Sequence, residues 1–433
     1  MNENSPLPLL AAVALVAWPL AAPAPSRAAA CVLDDPPAAT LLLPYFEVDL
    51  ASSSGQTTLF SVGNSAATAA LVNVTLWTDL GVPTLAFPVY LTGYDVETVN
   101  LRDVFEGRLP GTASVGQDPL DTVSPRGDFS QDIDLDSCDG ILPPQPLTAS
   151  FTAELRKSHQ GLASTLQGPS PRCSGAPLGD GRARGYVTMD VVKSCSTTAV
   201  FPSDNGYFGA AGRADSRNVL FGDVFTVDPS NNAADGQSLV RIEAFPGRFV
   251  AGNTTFYGRF FLNGQPQYSA TDDREPLAYG WATRFVSGGS FDGGTHFVVW
   301  RDPGGPSGPV NCGDGQGWLV DDGIVAFDEQ ENVFADQGCP ILCPPQPHDP
   351  NFPRVAQKVA LSEVGVPSWF GPRQMIPFDF GWTALNFVSL TRNYLPAQAW
   401  VGLELTAERR FSVSETGTPL DSACGTPRPL PGY

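Results

Sequence analysis

Leu71-Val72-Asn73-Val74-Thr75-Leu76-Trp77-Thr78 runs into Asp79-Leu80-Gly81-Val82-Pro83. Val72, Val74 and Leu76 occupy every second position, with Asn73 and Thr75 between them. A period of two belongs to a β-strand that buries one face. The Asp-Leu-Gly-Val-Pro segment then reads as a turn. Working outward, residues 58–62 predict a strand ended by Gly63-Asn64-Ser65, and residues 85–91 and 96–101 predict two more. Short strands with a turn about every ten residues predict an antiparallel β-sandwich.

The pattern changes at Glu106 and stays rich in Pro, Gly and Asp to Pro146, which reads as a long loop. Residues 148–160 are the helix candidate. Leu147, Phe151, Leu155 and Leu162 fall near helical spacing, and Gly161 is a terminator. Residues 167–184 read as loop again. Alternation returns at 185–192, and further strands are expected at 221–227, 239–245, 254–261, 277–285, 296–300, 323–328, 378–387 and 397–413. The fold expectation is mostly β: two antiparallel sandwich domains, one short helix and long disulfide-stapled loops. Its divisions are a signal peptide at 1–30, a first sandwich region at 31–105, a loop-rich insertion at 106–184 and a second sandwich region at 185–433. No fixed-period repeat occurs, so a solenoid or propeller is not expected.

Leu7 to Ala22 is an apolar run of about sixteen residues, short of the roughly twenty that span a bilayer. It leads to Ala28-Ala29-Ala30-Cys31, an A-x-A-type cleavage site. The expected location is secreted, periplasmic or cell-surface. Lipid anchoring at Cys31 is the alternative, but Ala28 stands where a lipoprotein signal usually has Leu. No second apolar run is long enough to span, so no membrane span is expected in the mature chain.

The 41 Pro and 44 Gly mean many turns and few long helices. The net charge of −20 repels phosphate backbones, so nucleic acid is not an expected partner. Cys31, Cys138, Cys173, Cys195, Cys312, Cys339, Cys343 and Cys424 form an even set, read in an exported chain as disulfides. Proximity in sequence pairs Cys138 with Cys173, and Cys312 with Cys339 or Cys343. Cys31, Cys195 and Cys424 are then left to close long loops. Zinc at Cys312, Cys339, Cys343 and His348 is the weaker alternative, because Pro344-Pro345-Gln346-Pro347 makes a rigid extended segment.

One resemblance enters here. Thr40-Leu41-Leu42-Leu43-Pro44-Tyr45-Phe46-Glu47-Val48-Asp49-Leu50 resembles the opening of a group of uncharacterised exported bacterial β-rich proteins. Leu76-Trp77-Thr78-Asp79, Asn100-Leu101-Arg102-Asp103, Asp273-Arg274-Glu275-Pro276-Leu277 and Val299-Trp300-Arg301-Asp302 are similar to later segments of that group. The resemblance implies one architecture along the mature chain, and it brings no activity with it.

Candidate chemistry is sparse. Asp132, Asp134, Asp136 and Asp139 form D-x-D-x-D-x-x-D, a pattern that can surround calcium with oxygen ligands. Ser137 and Pro143 stand where an EF-type loop needs Gly and Glu. Asp272, Asp273 and Glu275, with Asp328, Glu329 and Glu331, are the candidate carboxylates for glycoside hydrolysis. The plainer reading is that Arg274 and Arg301 tie loops to carboxylates between strands. His159, His296 and His348 are isolated, and no G-x-S-x-G elbow, P-loop or dinucleotide fingerprint occurs. The leading expectation is therefore a binding or structural module with a surface glycan or protein partner. A secreted glycan hydrolase and a calcium-stabilised surface module are the rivals.

Overall fold

The alternating run folds as β3, Ala70–Thr78, and every residue of it is buried. One face alone would satisfy a simple sandwich, so something must also cover the other. The computed structural model describes residues 36–111, 135–166, 174–204, 206–209, 211–247, 255–257, 261–262, 265–266, 272–302, 319–335, 351–366, 373–389, 395–407 and 410–420. In it β1 (Thr40–Asp49), β4 (Pro83–Leu91), β6 (Arg182–Val192) and β10 (Val240–Ile242) join β3 in the order β10-β1-β6-β3-β4. A facing sheet contains β2 (Thr57–Asn64), β5 (Val96–Asn100), β8 (Asp223–Asp228) and β9 (Ala233–Ser238), with β7 (Leu220–Phe221) beside β2. Leu41, Val72, Val74, Leu76, Val187 and Met189 of the first sheet pack on Phe60, Val62, Val99 and Val224 of the second. Burying each such side chain contributes about 1.5–3 kcal/mol.

A second sandwich follows. One sheet holds β13 (Gly280–Val286), β15 (Leu319–Asp328), β16 (Val333–Phe334), β20 (Phe380–Ser389) and β24 (Thr418–Pro419), with β21 (Leu395–Pro396) on β20. The other is β17-β14-β22-β23, from β14 (Gly294–Arg301), β17 (Ala356–Ala360), β22 (Ala399–Ala407) and β23 (Phe411–Thr416). Phe285, Ile324, Leu385 and Phe387 meet Phe297, Val299, Val401 and Leu403 in its core. Two small ribbons complete the set: β11 (Phe261–Leu262) with β12 (Gln265–Pro266), and β18 (Gly365–Val366) with β19 (Gln374–Met375). Among the described residues all the strand pairings are antiparallel, as expected for the antiparallel, mostly β fold.

The division at residue 185 does not survive. β6 lies between β1 and β3, and β8 and β9 extend the sheet of β2. The first sandwich therefore runs to Ile242, because strand partners are set by pairing across the whole chain and not by nearness in sequence. Of the strand expected at 254–261, Phe261 opens β11, whereas Thr255, Phe256 and Tyr257 form no strand. Phe256 and Tyr257 lie in a bend, where both rings are drawn inward. The polar strand β9 had no apolar alternation to announce it.

The outer face of the first sheet is what the second sandwich covers. Thr40, Asp190 and Asn73 lie in register across β1, β6 and β3, with Tyr186 and Trp77 further along. Trp77 stacks on Tyr186 at 5.5 Å, Tyr186 meets Trp300 edge-on at 6.0 Å, and Trp300 stacks on Phe256 at 5.2 Å. These rings make one core continuous between the sandwiches.

Asp190 is the polar centre of this junction. Its carboxylate accepts from Thr40 Oγ1 at 2.5 Å, from Tyr207 at 3.0 Å and from Tyr257 at 3.0 Å. Burial raises the Asp190 pKa, while the Arg274 guanidinium opposes that rise. Arg274 is itself buried and donates to Thr40 Oγ1, Asp273 and the Asp215 carbonyl. Asp272 accepts from the Arg274 and Tyr257 backbone amides at 3.0 and 2.9 Å.

The helix candidate is α2, Ala149–His159, which follows a five-residue α1 (Leu101–Phe105) that the sequence reading missed. Thr148 caps α2 by accepting from the Phe151 amide. Gly161 ends it at φ 72°, with the Leu162 amide donating to the Lys157 carbonyl as in a Schellman motif. Leu155 is buried, whereas Leu162 is exposed past that stop. Among the described residues no helix is long and apolar enough to cross a membrane.

Cys138 bonds Cys195, not Cys173. The bridge joins a turn before α2 to the end of β6, across 57 residues. Sequence proximity chose the wrong partner because Cys195 follows β6, whose pairing with β3 carries it beside the Cys138 turn. The expected calls at Cys31, Cys173, Cys312, Cys339, Cys343 and Cys424, and the 1–30 signal, lie outside the described residues.

Two predictions follow from these contacts. Replacing Cys138 and Cys195 together by Ser should cost about 3 kcal/mol in urea unfolding, since the bridge restricts the unfolded chain. A loss below about 1 kcal/mol would contradict a stapling role for this bond. The second concerns pH. Burial first of all pushes Asp79 and Asp272 up to about 6, against about 3.9 in an unfolded chain. The fold therefore holds these protons more tightly, and their contribution is full below about pH 4 and lost as pH rises through about 6. Asp272→Asn should flatten the fall in unfolding free energy over this window, by at most about 1.4 kcal/mol per pH unit. An unchanged slope would contradict it.

Candidate functional site

Most residues singled out for chemistry hold the fold. Asp273 accepts from Ser216 Oγ and Arg274, and the Glu275 amide donates to the Glu243 carbonyl at 2.9 Å. Arg301 donates to the Phe352 carbonyl and lies over the Phe387 ring. Asp328 caps the β15–β16 turn, accepting from the Gln330 and Asn332 amides at 2.8 Å and from the Asn332 side chain at 2.7 Å. Those Asn332 bonds hold its carboxyl below the ordinary value. Glu329 and Glu331 are exposed on the same turn. One carboxylate set thus belongs to the junction beneath the first sheet and the other to a hairpin of the second sandwich.

Asp136 and Asp139 are exposed around the Cys138 turn, and Asp132 and Asp134 lie outside the described residues. Among the described residues no group of three or more His, Cys, Asp or Glu is placed to hold a metal. His159 is buried, bonded to Thr84 Oγ1 and the Arg184 carbonyl at 2.8 Å each. Burial holds it down at about 4, so it is neutral and structural. His348 lies outside the described residues.

His296 is different, and register explains why. β8 and β9 pair with Val224 opposite Gln237, Thr226 opposite Asp235, and Asp228 opposite Ala233. Cross-strand partners share a face, so these six form one surface. Val224 enters the first core, while the far end of the surface opens toward the second sandwich. There β14 alternates, with Phe297 and Val299 pointing inward and His296 and Val298 outward. His296 is opposite Glu404, Glu404 is opposite Ser414, and Val298 is opposite Lys358. The two faces enclose a cleft of about 410 Å³, lined also by Gln56, Arg182, Thr406 and Phe411. A recess of about 40 Å³ reaches from it to Tyr45 and Glu47.

The wall is held by its own charges. Lys358 Nζ bonds Glu404 at 2.7 Å. Arg182 donates to Glu47 and to Gln56 Oε1. Glu47 also accepts from Tyr45 at 2.6 Å and from Arg184 at 3.3 Å. Burial acts to raise Glu47, but Arg184, Tyr45 and Arg182 outweigh it and hold the carboxyl below its ordinary value. Burial raises Asp235, against bonds from the Ser414 and Gly236 amides. Burial, and then the Lys358 ammonium, lower His296, so its imidazole is neutral at pH 7. His296 Nδ1 is buried and has no hydrogen-bond partner among the described residues.

Position in the fold comes from residues far away. Arg102 ties the loop before β2 by donating to the Asp49, Ser52, Gly55 and Gln56 carbonyls at 2.6–2.9 Å, which fixes Gln56 at the cleft. Sequence reasoning missed Asp235, Lys358 and Glu404. The signal available was alternation on the polar side: Glu404 and Thr406 share the face opposite Leu403 and Leu405. Comparison of the chain with protein-family models, curated proteins and solved structures finds no match.

Proposed function

We propose that the protein is an exported or cell-surface β-sandwich protein with a binding role, and that its ligand enters the cleft between the sandwiches. The observation that carries this reading is the cleft itself. Each sandwich supplies one wall, and the enclosed volume of about 410 Å³ falls within the roughly 300–1,000 Å³ typical of small-molecule sites. Export is supported by the Leu7–Cys31 signal pattern and by a disulfide, since such bonds persist in oxidising compartments. The test is saturation-transfer NMR of the full chain with a mixed panel of saccharides, amino acids and short peptides. At least one compound should respond with the wild type and lose its signal with Thr406→Trp, whose added ring fills the cleft. Binding that survives in a Thr406→Trp protein of unchanged melting temperature would sink this reading.

Hydrolysis has one observation in its favour. Asp235 and Glu404 face the same cleft from different sandwiches, and burial keeps Asp235 protonated to higher pH than usual. A glycosidase would use Asp235 as acid and Glu404 as base or nucleophile. The Lys358 bridge counts against a free nucleophile. If this second reading holds, defined β-glucan oligosaccharides should release reducing ends with the wild type and not with Glu404→Gln. No release by the wild type leaves the binding role alone.

A further inference from the structure

Resting on the cleft as binding site, we infer that it selects a neutral, hydroxyl-rich ligand, a short saccharide, over any charged one. The charged wall groups already have partners inside the protein, the cations in ion pairs and the two aspartates in hydrogen bonds. Lys358 is bridged to Glu404, Arg182 to Glu47, and Asp235 to two backbone amides. Asp228 is tied up by Ser230 and Asn231 in its own turn. An anionic or cationic ligand would have to open one of these pairs or leave its own charge unmatched in a half-enclosed space, and both are costly.

A polyol meets neither obstacle. A hydroxyl both donates and accepts, and so does the neutral His296 ring. His296 Nδ1 has no partner among the described residues, so none of them fixes the tautomer there, and the ring that lines the cleft can donate to or accept from a ligand hydroxyl. Thr226, Thr406 and Ser412 add hydroxyls of the same dual character. Phe411, which is 41% exposed, offers its ring to the C–H face of a sugar. Phe291 packs against that ring edge-on at 5.8 Å and so limits its movement.

Titration calorimetry of the full chain tests this with three-residue probes: cellotriose and maltotriose as neutral, trigalacturonate as anionic, and the glucosamine trimer as cationic. At least one neutral probe should bind at least about tenfold tighter than both charged ones, and Thr406→Trp should abolish that binding. Lys358→Met removes the partner of Glu404 and should shift preference toward the glucosamine trimer by about tenfold or more. Tighter binding of a charged probe to the wild type, still lost in Thr406→Trp, would overturn the ligand class and leave the cleft as the site. Neutral probes that bind equally to Thr406→Trp, or do not bind at all, would overturn the inference, and the first of these outcomes would also overturn the cleft.

Discussion

A carboxylate on the middle strand of a sheet, shut away from water, constrains everything placed around it. Asp190 lies in β6 with β1 and β3 on either side. Burying an ion costs several kcal/mol unless partners replace its water. Here those partners come from four separate segments: Thr40, Tyr207, Tyr257 and the nearby charge of Arg274. Each partner brings its own stretch of chain to the outer face of the sheet. Arg274 then carries the constraint outward, through Asp273 and the Asp215 carbonyl. The aromatic series from Trp77 to Phe256 supplies apolar burial around this polar centre. Together they fix one sandwich against the other, and the cleft exists only because that placement is fixed.

The same logic explains the charged residues within the quoted motifs. Glu47 of the opening motif holds Arg182 and Arg184. Asp79, after Trp77, has its carbonyl bonded by the Val355 and Ala356 amides of the second sandwich, and its Oδ1 by the Ala176 amide at 2.9 Å. Arg354 Nε stands 3.6 Å from Asp79 Oδ2, an ion pair too long to be a hydrogen bond. Arg102 clamps the loop that ends at Gln56. Each of these charged side chains joins segments distant in sequence.

The cleft draws on residues with the opposite history. β23 is an edge strand, and edge strands leave backbone amides exposed to unwanted pairing. Asp235, from the first sandwich, accepts one of these amides at Ser414. One contact thus protects the edge, seats β9 beside the second sandwich and forms part of the cleft wall. On the opposite face of β8 and β9, Gly236 makes room for its cross-strand partner: a Cβ there would meet the Phe225 ring at 2.6 Å.

Local pattern was enough for the elements. Alternation placed β3, β4, β6 and β14, Thr148 and Gly161 bounded α2, and spacing alone gave the antiparallel β class. Those features depend on residues a few positions apart, so the sequence holds them directly. Partner choice depends on residues far apart, and there only the tertiary structure decided. It set β6 between β1 and β3, bonded Cys138 to Cys195, and buried both faces of β3. It also turned Asp272 and Asp273 into anchors and brought Asp235, His296, Lys358 and Glu404 to one cleft. No local pattern carries that outcome, because each cleft residue alternates unremarkably in its own strand and gains its meaning from the strand across the gap.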